Sequence, residues 1–411
     1  MYSTLYIVNP ELMIEDMTGG SAMIMAPSMD RGLKALKAFC RKLESLKSGQ
    51  PHTESALHGA LGKECFEILQ DLNIILPYGL DGAIALGVTQ VCSMPAGIPL
   101  QYSNLSNLEP DDLVIIQAPI ATTTLAPSVT RGGNWVRAFL RQSLMKNPWA
   151  MASGAYVDHD FGTFISDDKL NLYDMGYVMY DPHDDQASQV GVRLQHVLER
   201  IYSRGAAPVV LGGDHAQAFY SIAALAKRYR KVGILHIDAH TDLYQVSRSR
   251  SRLLNHANVM CHVAHMAHVD SIWQVGIRDL HHEQGNGLDP LVMGKLKCLS
   301  AFEIAQLGYA RLLESFDKSI PWFISFDVDA LEFSDRPETA TPVLGGLSYY
   351  PLLAFFSSFI KAAAVVGMEV VEVGDSAQSA HGPAAIAARL ISRYIFHCRR
   401  EQNMTSSAQR F

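Results

Sequence analysis

The chain has no CxxC pair, no long basic block and no run near the roughly 20 apolar residues of a membrane span, and its opening MYSTLYIVNPELMIEDM has neither a basic n-region nor an apolar h-region. Each absence excludes something. Six cysteines are scattered at Cys40, Cys65, Cys92, Cys261, Cys298 and Cys398. In a chain this long they read as reduced thiols, not as a disulfide framework or a zinc ribbon. The net charge of −7 without a basic stripe argues against general nucleic-acid binding, which rests on phosphate contacts. The absence of a leader and of a span argues against secretion and membrane insertion. The expectation is a cytoplasmic protein that binds neither nucleic acid nor a membrane.

What is present is a large apolar fraction, 48%, with only 18% charged residues, ample for a buried core. At 411 residues the chain exceeds one typical compact domain, so one large domain with an appendage is expected. From about Asp112 onward, short apolar runs alternate with helical patterns: Leu113–Ile116, Pro208–Leu211, Val232–Ile237, Ile272–Val275, Trp322–Phe326 and Val365–Val373. Amphipathic segments such as Gly191–Ser203 and Ala216–Tyr229 lie between them. Near-continuous apolar strands alternating with helices predict an α/β fold whose parallel sheet is covered on both faces.

The first 105 or so residues lack that rhythm. Thr4–Val8 and Ala22–Met25 read as strands around the turn signal Thr18-Gly19-Gly20. Asp30 suits a helix cap, followed by a stripe of Leu33, Leu36, Phe39, Leu43 and Leu46. A polar linker, Ser48–Glu54, leads to a second helix carrying Cys65, Ile68, Leu69 and Leu72, and a short run Ile74–Leu76 stops at Pro77. This predicts a small N-terminal α+β, winged-helix-like module over 1–105 and a catalytic domain over 106–411. The Gly-, Pro- and Ser-rich stretch Pro77–Asn107 joins them.

Three segments carry the chemistry: Leu211-Gly212-Gly213-Asp214-His215, Asp238-Ala239-His240-Thr241-Asp242 and Ser325-Phe326-Asp327-Val328-Asp329. Each follows a predicted buried strand, where open α/β sheets place their ligands. In the second and third, the functional residues are spaced by two, which aims alternate side chains the same way in extended chain. A lone DxH or DxD means little, and an Asp after a strand is commonly a helix cap. Three such segments in register with the strand pattern point to a metal site. Its oxygen and nitrogen donors suit Mn²⁺ or a similar divalent ion, with Ni²⁺ or Co²⁺ as alternatives. Four clustered carboxylates would repel one another strongly, and two divalent ions remove that problem. A metal pair can also hold a bridging water as hydroxide at neutral pH.

GGDH, DAHTD and SFDVDALE resemble the signature blocks of the ureohydrolases, the family of arginase, agmatinase, guanidinobutyrase and formimidoylglutamase. The resemblance runs from about residue 112 to 397 and includes Thr341–Ser348. It implies a three-layer α/β/α fold with a parallel, roughly eight-stranded sheet, two Mn²⁺ ions, and cleavage of a guanidino group to release urea. By position it makes Asp238 and Asp327 bridging ligands, with His215 and Asp242 completing the first metal and His240 and Asp329 the second. Asp242 would also pass a proton to the leaving amine, and His256 stands where arginases carry a proton-shuttling histidine. Glu372, in Val370-Val371-Glu372-Val373, falls where the family grips the guanidinium. A guanidinium keeps its proton, so a carboxylate fork is the expected partner. Glu369 is its nearest competitor.

The sequence also departs from the family pattern. Glu332-Phe333 replaces an Asp-Pro, and Gly374-Asp375 an Asn-Pro. Asp279 matches one acid of the free-arginine clamp, but His281 holds the second position, and Leu243-Tyr244 replaces the small amide that helps read an α-carboxylate. The loop beyond carries Arg248, Arg250 and Arg252. A site without the amino-acid clamp should not favour free arginine, because specificity comes from pairing those polar ends. Two alternative readings of the substrate follow, of which the first is preferred. One is an arginine side chain within a peptide, converted to ornithine and recruited by an N-terminal module resembling the leader-recognition elements of peptide natural-product maturation. The other is a small guanidino compound such as guanidinobutyrate or agmatine, with residues 1–105 building an oligomer. Self-association into a homo-oligomer is expected in either case. An inactive ureohydrolase-like binding scaffold is the alternative of another class, which the intact ligand positions oppose.

Overall fold

The structure is a computed structural model. It describes residues 5–8, 13–16, 21–25, 33–46, 52–71, 75–78, 88–89, 108–122, 129–130, 132–144, 155–166, 172–178, 187–244, 253–279, 289–332, 338–374, 382–398 and 402–403. Asp30, Leu72, Cys92, Arg248, Arg250, Arg252, His281, Phe333 and Asp375 lie outside the described residues.

Eight strands form the central sheet: β1 (Leu113–Gln117), β2 (Leu172–Val178), β3 (Ala207–Leu211), β4 (Val232–Ile237), β5 (Val269–Val275), β6 (Leu296–Leu299), β7 (Pro321–Asp327) and β8 (Ala364–Val371). Their spatial order is β6-β5-β4-β7-β8-β3-β1-β2, and every neighbouring pair is parallel. A ninth, two-residue strand, Val88–Thr89, closes the β2 edge antiparallel.

Alternation along the strands feeds two separate cores. Leu113, Val209, Leu235, Trp322 and Ile324 face one apolar layer with the helices Gly133–Leu144, Tyr349–Ala362 and Pro383–Cys398. Val114, Val210, Ile234 and Phe323 face the other, with the helices Ala187–Ser203, Gln217–Leu225 and Val259–Ala264. This is the three-layer α/β/α arrangement. Burial of each large apolar side chain contributes about 1.5–3 kcal/mol, and strands buried on both faces gain it at every position. Among the described residues, no helix is long and apolar enough to cross a membrane.

The N-terminal residues build an α+β unit with its own small core of Cys40, Leu43, Leu57, Leu61, Phe66, Leu69 and Ile75. Leu5–Val8 pairs antiparallel with His52–Thr53 and Ile75–Tyr78, while Met13–Asp16, Ser21–Met25 and Leu33–Leu36 form an antiparallel meander. Its helices are Lys37–Leu46, Glu54–Leu61 and Lys63–Asp71.

Two local expectations are corrected. The helix expected from Leu33 begins at Lys37, because Leu33–Leu36 instead pairs with Ser21–Met25. The helical stripe competes there with an unpaired strand edge, and pairing prevails over periodicity. The strand expected to stop before Pro77 continues to Tyr78, with Pro77 opposite Tyr6. This strand lies at the edge of its three-stranded sheet, where a missing N–H is tolerated.

Candidate metal centre

Four adjacent strands, β4, β7, β8 and β3, deliver their C-terminal ends to one place. After β3 the chain turns through Gly212-Gly213-Asp214-His215. A side chain at Gly213 would put its Cβ 1.9 Å from the Ile120 carbonyl oxygen, so only glycine fits. The Gly213 carbonyl accepts the Glu372 N–H at 2.9 Å, tying this turn to the end of β8. Asp214 closes the turn, accepting from the Thr122 N–H, from the Thr122 hydroxyl at 2.6 Å and from the Ala216 N–H at 3.1 Å. His215 is left to face the centre.

His215 Nδ1 lies 2.9 Å from Asp238 Oδ2, 2.9 Å from Asp242 Oδ2 and 3.2 Å from Asp327 Oδ2. Neither His215 Nδ1 nor Asp242 Oδ2 has a hydrogen-bond partner of acceptable geometry, although both are buried. Close but misaligned donors of this kind suit an ion between them. Ligands about 2.1 Å from an octahedral ion stand about 3 Å from one another, as these do. On the other side, His240 Nδ1 lies 2.9 Å from Asp329 Oδ2 and 3.6 Å from Asp238 Oδ1. Asp238 thus reaches both groups with its two oxygens, and a donor cluster of Asp238, His240 and Asp329 stands beside one of His215, His236, Asp238 and Asp242. The residues present fit divalent cations.

Burial and the neighbouring Asp329 and Asp238 hold the Asp327 carboxyl well above the usual carboxylate range, and burial with Asp238 raises Asp329. Burial disfavours charge on the histidines, but the carboxylates outweigh it, raising His215 well above its ordinary value and His240 to about 11. Asp238 is held low: burial pushes it up, and His236, His215 and His240 pull it further down. Except for Asp238, these groups bind protons more tightly folded than unfolded. For them the native state of the cation-free chain loses stability as pH rises from ordinary carboxylate and imidazole values through the raised ones. Cation uptake should therefore release protons, and affinity should fall as pH is lowered. Calorimetric titration of the cation-free chain with Mn²⁺ in buffers of differing ionisation enthalpy measures that release, and a buffer-independent heat would contradict it.

Glu372 is 3% exposed and accepts the His215 N–H at 2.9 Å through Oε1. Burial, then the nearby Asp214, pushes its carboxyl up to about 8. Its φ of 59° is left-handed, as is that of Asp242 at 51°. Such backbone costs about 1–3 kcal/mol in a non-glycine residue and persists only where the surroundings enforce it. At Asp242 the carbonyl accepts the N–H groups of Met260 and Cys261, and at Glu372 the N–H is held by Gly213.

A profile of the arginase family matches residues 111–397. The chain belongs to the arginase family. Among curated relatives, an agmatinase of Sodalis glossinidius is 29% identical over 230 residues, 56% of this chain and 71% of that protein. An agmatinase of Edwardsiella ictaluri is 27% identical over 288 residues, 69% of this chain and 87% of that one. The fold matches the crystal structure of a hypothetical agmatinase from Burkholderia thailandensis with a TM-score of 0.60 at 24% identity, covering 78% of this chain and 98% of that one. It matches proclavaminate amidino hydrolase of Streptomyces clavuligerus with a TM-score of 0.60 at 23% identity, covering 77% and 99%. As an arginase-family chain this is a ureohydrolase.

Of the site residues expected from sequence, the structure brings together His215, Asp238, His240, Asp242, Asp327, Asp329 and Glu372. His256 begins a 3-10 turn capped by Asn255, half-buried and near enough to Asp214 to favour its carboxylate. Tyr244 is 53% exposed, and its N–H donates to the Ala257 carbonyl at 3.0 Å. Asp279 is exposed, with a left-handed φ of 73°. Glu332 accepts from the Ser348 hydroxyl at 2.8 Å.

Sequence reasoning missed the layer below the ligands. His215 Nε2 lies 2.9 Å from Ser325 Oγ, and Ser325 Oγ lies 2.8 Å from Glu369 Oε1. Glu369 Oε2 accepts from Ser221 at 2.7 Å and Gln217 at 3.3 Å. Glu369 is thus a fully buried support whose oxygens are already occupied. A serine has one hydrogen; given to Glu369, it leaves Ser325 Oγ to accept from His215 Nε2–H and frees the Nδ1 lone pair for a cation. The same spacing of two that selected Asp238 and His240 would also have selected His236.

Proposed function

We propose that this chain hydrolyses a guanidino group to urea and an amine, and that the group belongs to an arginine side chain within a peptide, leaving ornithine. The observation that carries the hydrolysis is the buried Glu372 carboxyl held against the His215 backbone, beside six convergent imidazole and carboxylate side chains. In this reading Asp238 and Asp327 serve both cation positions, His215 and Asp242 complete the first, and His240 and Asp329 the second. Bound divalent ions, Mn²⁺ being the first candidate, would bring a water into the neutral pKa range as the attacking nucleophile. Glu372 grips the guanidinium and sets its carbon over the cluster. Asp242, through the carboxylate oxygen not given to the first cation, would take a proton from the water and return it to the leaving amine nitrogen. His256 exchanges protons with solvent. An inactive scaffold would not keep this complete donor set.

The peptide substrate rests on two supports. The clamp for a free amino acid is incomplete: His281 replaces one acid, and Leu243-Tyr244 replaces the small amide. The N-terminal unit, which we place at about 1–105, lies outside the family match and has its own core. Its meander has two edge strands, Met13–Asp16 and Leu33–Leu36, to which an extended segment can add. A docking site there raises the local concentration of the arginine at the centre. The second reading is a small guanidino compound, favoured by the agmatinase names of the relatives. Urea release from arginine, agmatine, guanidinobutyrate and an arginine-containing precursor peptide separates them. A version beginning after Tyr78, which keeps the Val88–Thr89 strand, should retain its cations and lose turnover only on the peptide. Equal peptide turnover by both forms, or rapid hydrolysis of agmatine, promotes the small-molecule reading.

A further inference from the structure

Gln274 on β5, His236 on β4, Ser325 on β7 and Glu369 on β8 are register partners in adjacent parallel strands, so they form one row across the sheet. All four are buried. Polar side chains in the middle of an apolar sheet are costly unless each is paired, and a fully paired row fixes the groups it touches. The Ser325 and Glu369 half holds His215, as described above. The other half leads to Asp238.

The hydrogen-bond directions in that half follow from one atom. The Thr241 carbonyl oxygen only accepts, and it lies 2.6 Å from Gln274 Nε2. The amide nitrogen of Gln274 must therefore be on this side, since its oxygen would meet another acceptor. The same nitrogen lies 3.2 Å from His236 Nδ1, so Nδ1 accepts and the ring hydrogen sits on Nε2. Nε2 lies 2.8 Å from Asp238 Oδ2. With its lone pair replaced by a hydrogen, Nε2 has nothing to offer an ion, although it stands among the donor atoms of His215, Asp238 and Asp242.

We propose that His236 is a positioning residue: locked with its hydrogen on Nε2 by Gln274 and the Thr241 carbonyl, it hydrogen-bonds Asp238 Oδ2 and sets the angle of the carboxylate that reaches both halves of the centre. This rests on the reading of the centre as a divalent-cation site. The contact is one-sided. Asp238 Oδ2 is the oxygen facing His215, whereas Oδ1 accepts the His240 N–H and faces the His240 ring. Loss of His236 therefore bears on the His215 side first. The carbonyl that locks Gln274 belongs to Thr241, next to Asp242, so the row also holds the far end of the ligand-bearing loop.

The test titrates cation-free, full-length protein with Mn²⁺, counting ions by calorimetry and by electron paramagnetic resonance. Two ions per wild-type chain are required by the cation reading, and none would end that reading rather than this inference. His236→Phe, which fills the space without a donor, is expected to weaken one of the two ions by roughly 10–100-fold, the usual cost of losing an outer hydrogen bond to a ligand. The other ion should be retained. His236→Gln, whose amide N–H can replace Nε2–H, should recover most of the loss. Wild-type affinity for both ions in His236→Phe, or a His236→Gln no better than His236→Phe, overturns the proposal. Because either variant could misfold, the wild-type chain supplies its own measurement: ¹⁵N shifts of labelled, cation-free protein should show His236 with hydrogen on Nε2. A hydrogen on Nδ1 overturns the proposal as surely as unchanged affinity.

Discussion

Asp238→Ala is expected to cost the centre at least one cation and abolish urea release. Its two oxygens serve different sides, Oδ2 at 2.9 Å from His215 Nδ1 and Oδ1 at 3.6 Å from His240 Nδ1, so one substitution damages both. The loss should far exceed the roughly 10–100-fold typical of outer-layer changes, with metal analysis showing fewer than two ions per chain. Asp327 is the harder case, because its Oδ1 also accepts the Asp329 N–H at 2.8 Å and shapes the turn. Asp327→Asn can keep that acceptor on Oδ1 while removing the charge and turning the Oδ2 side into a donor. The cation-free stabilities separate the two. Asp238 is held below the usual carboxylate range, so its stabilisation is present above the ordinary value and lost as pH falls through the lowered one. Asp238→Ala should therefore melt lower than wild type at neutral pH. Asp327 is held above its ordinary value, so its ionisation costs stability as pH rises toward the raised one. Cation-free Asp327→Asn should then melt no lower than cation-free wild type. Two ions retained in either variant would remove that residue from the centre.

The parts of this molecule legible in the sequence are those where one physical demand governs a segment. Strands β4 and β7, buried on both faces, announce themselves as mainly apolar runs, and the ligands stand at or just after their ends. Strand β2 does not, because Leu172–Val178 carries Asp174 and Gly176 inside it. Asp174 is there to receive the buried Arg137 guanidinium in a two-pronged contact, 2.7 Å to Oδ2 and 3.0 Å to Oδ1, a partner 37 residues away that no local pattern reveals. The supporting layer was hidden for the same reason. Ser325 and Glu369 look like ordinary polar interruptions of strands until register sets them side by side. His236, two residues before Asp238, reads as one more residue of its strand until register sets Gln274 beside it. Substrate choice is the least legible part, because the residues that would read the far end of the molecule sit in loops with no period to follow.

Glu372→Gln is expected to keep both cations and lose most turnover. The amide preserves size, and its oxygen can still accept the His215 N–H that Glu372 Oε1 accepts at 2.9 Å. What it loses is charge and one acceptor, and it presents an N–H to a guanidinium that offers only N–H groups. Two charge-assisted bonds of about 1.5–3 kcal/mol each put the fall in kcat/KM at roughly 10²–10⁴-fold. If the grip is equal in ground and transition states, KM takes the loss; if it tightens as the guanidinium carbon becomes tetrahedral, kcat takes it. The carboxyl supplies a second readout that needs no cations. Burial and Asp214 hold it at about 8, and only the ionised form attracts a guanidinium. Binding of guanidinium by the cation-free wild-type chain should therefore rise as pH passes upward through that value, while Glu372→Gln stays weak throughout. The left-handed backbone at Glu372 gives a third. Glu372→Gly should relieve the strain and hold or raise the melting temperature while removing activity, the mark of a residue kept for function at the expense of stability. Full turnover by Glu372→Gln, with two ions in place, would take the residue out of the substrate grip.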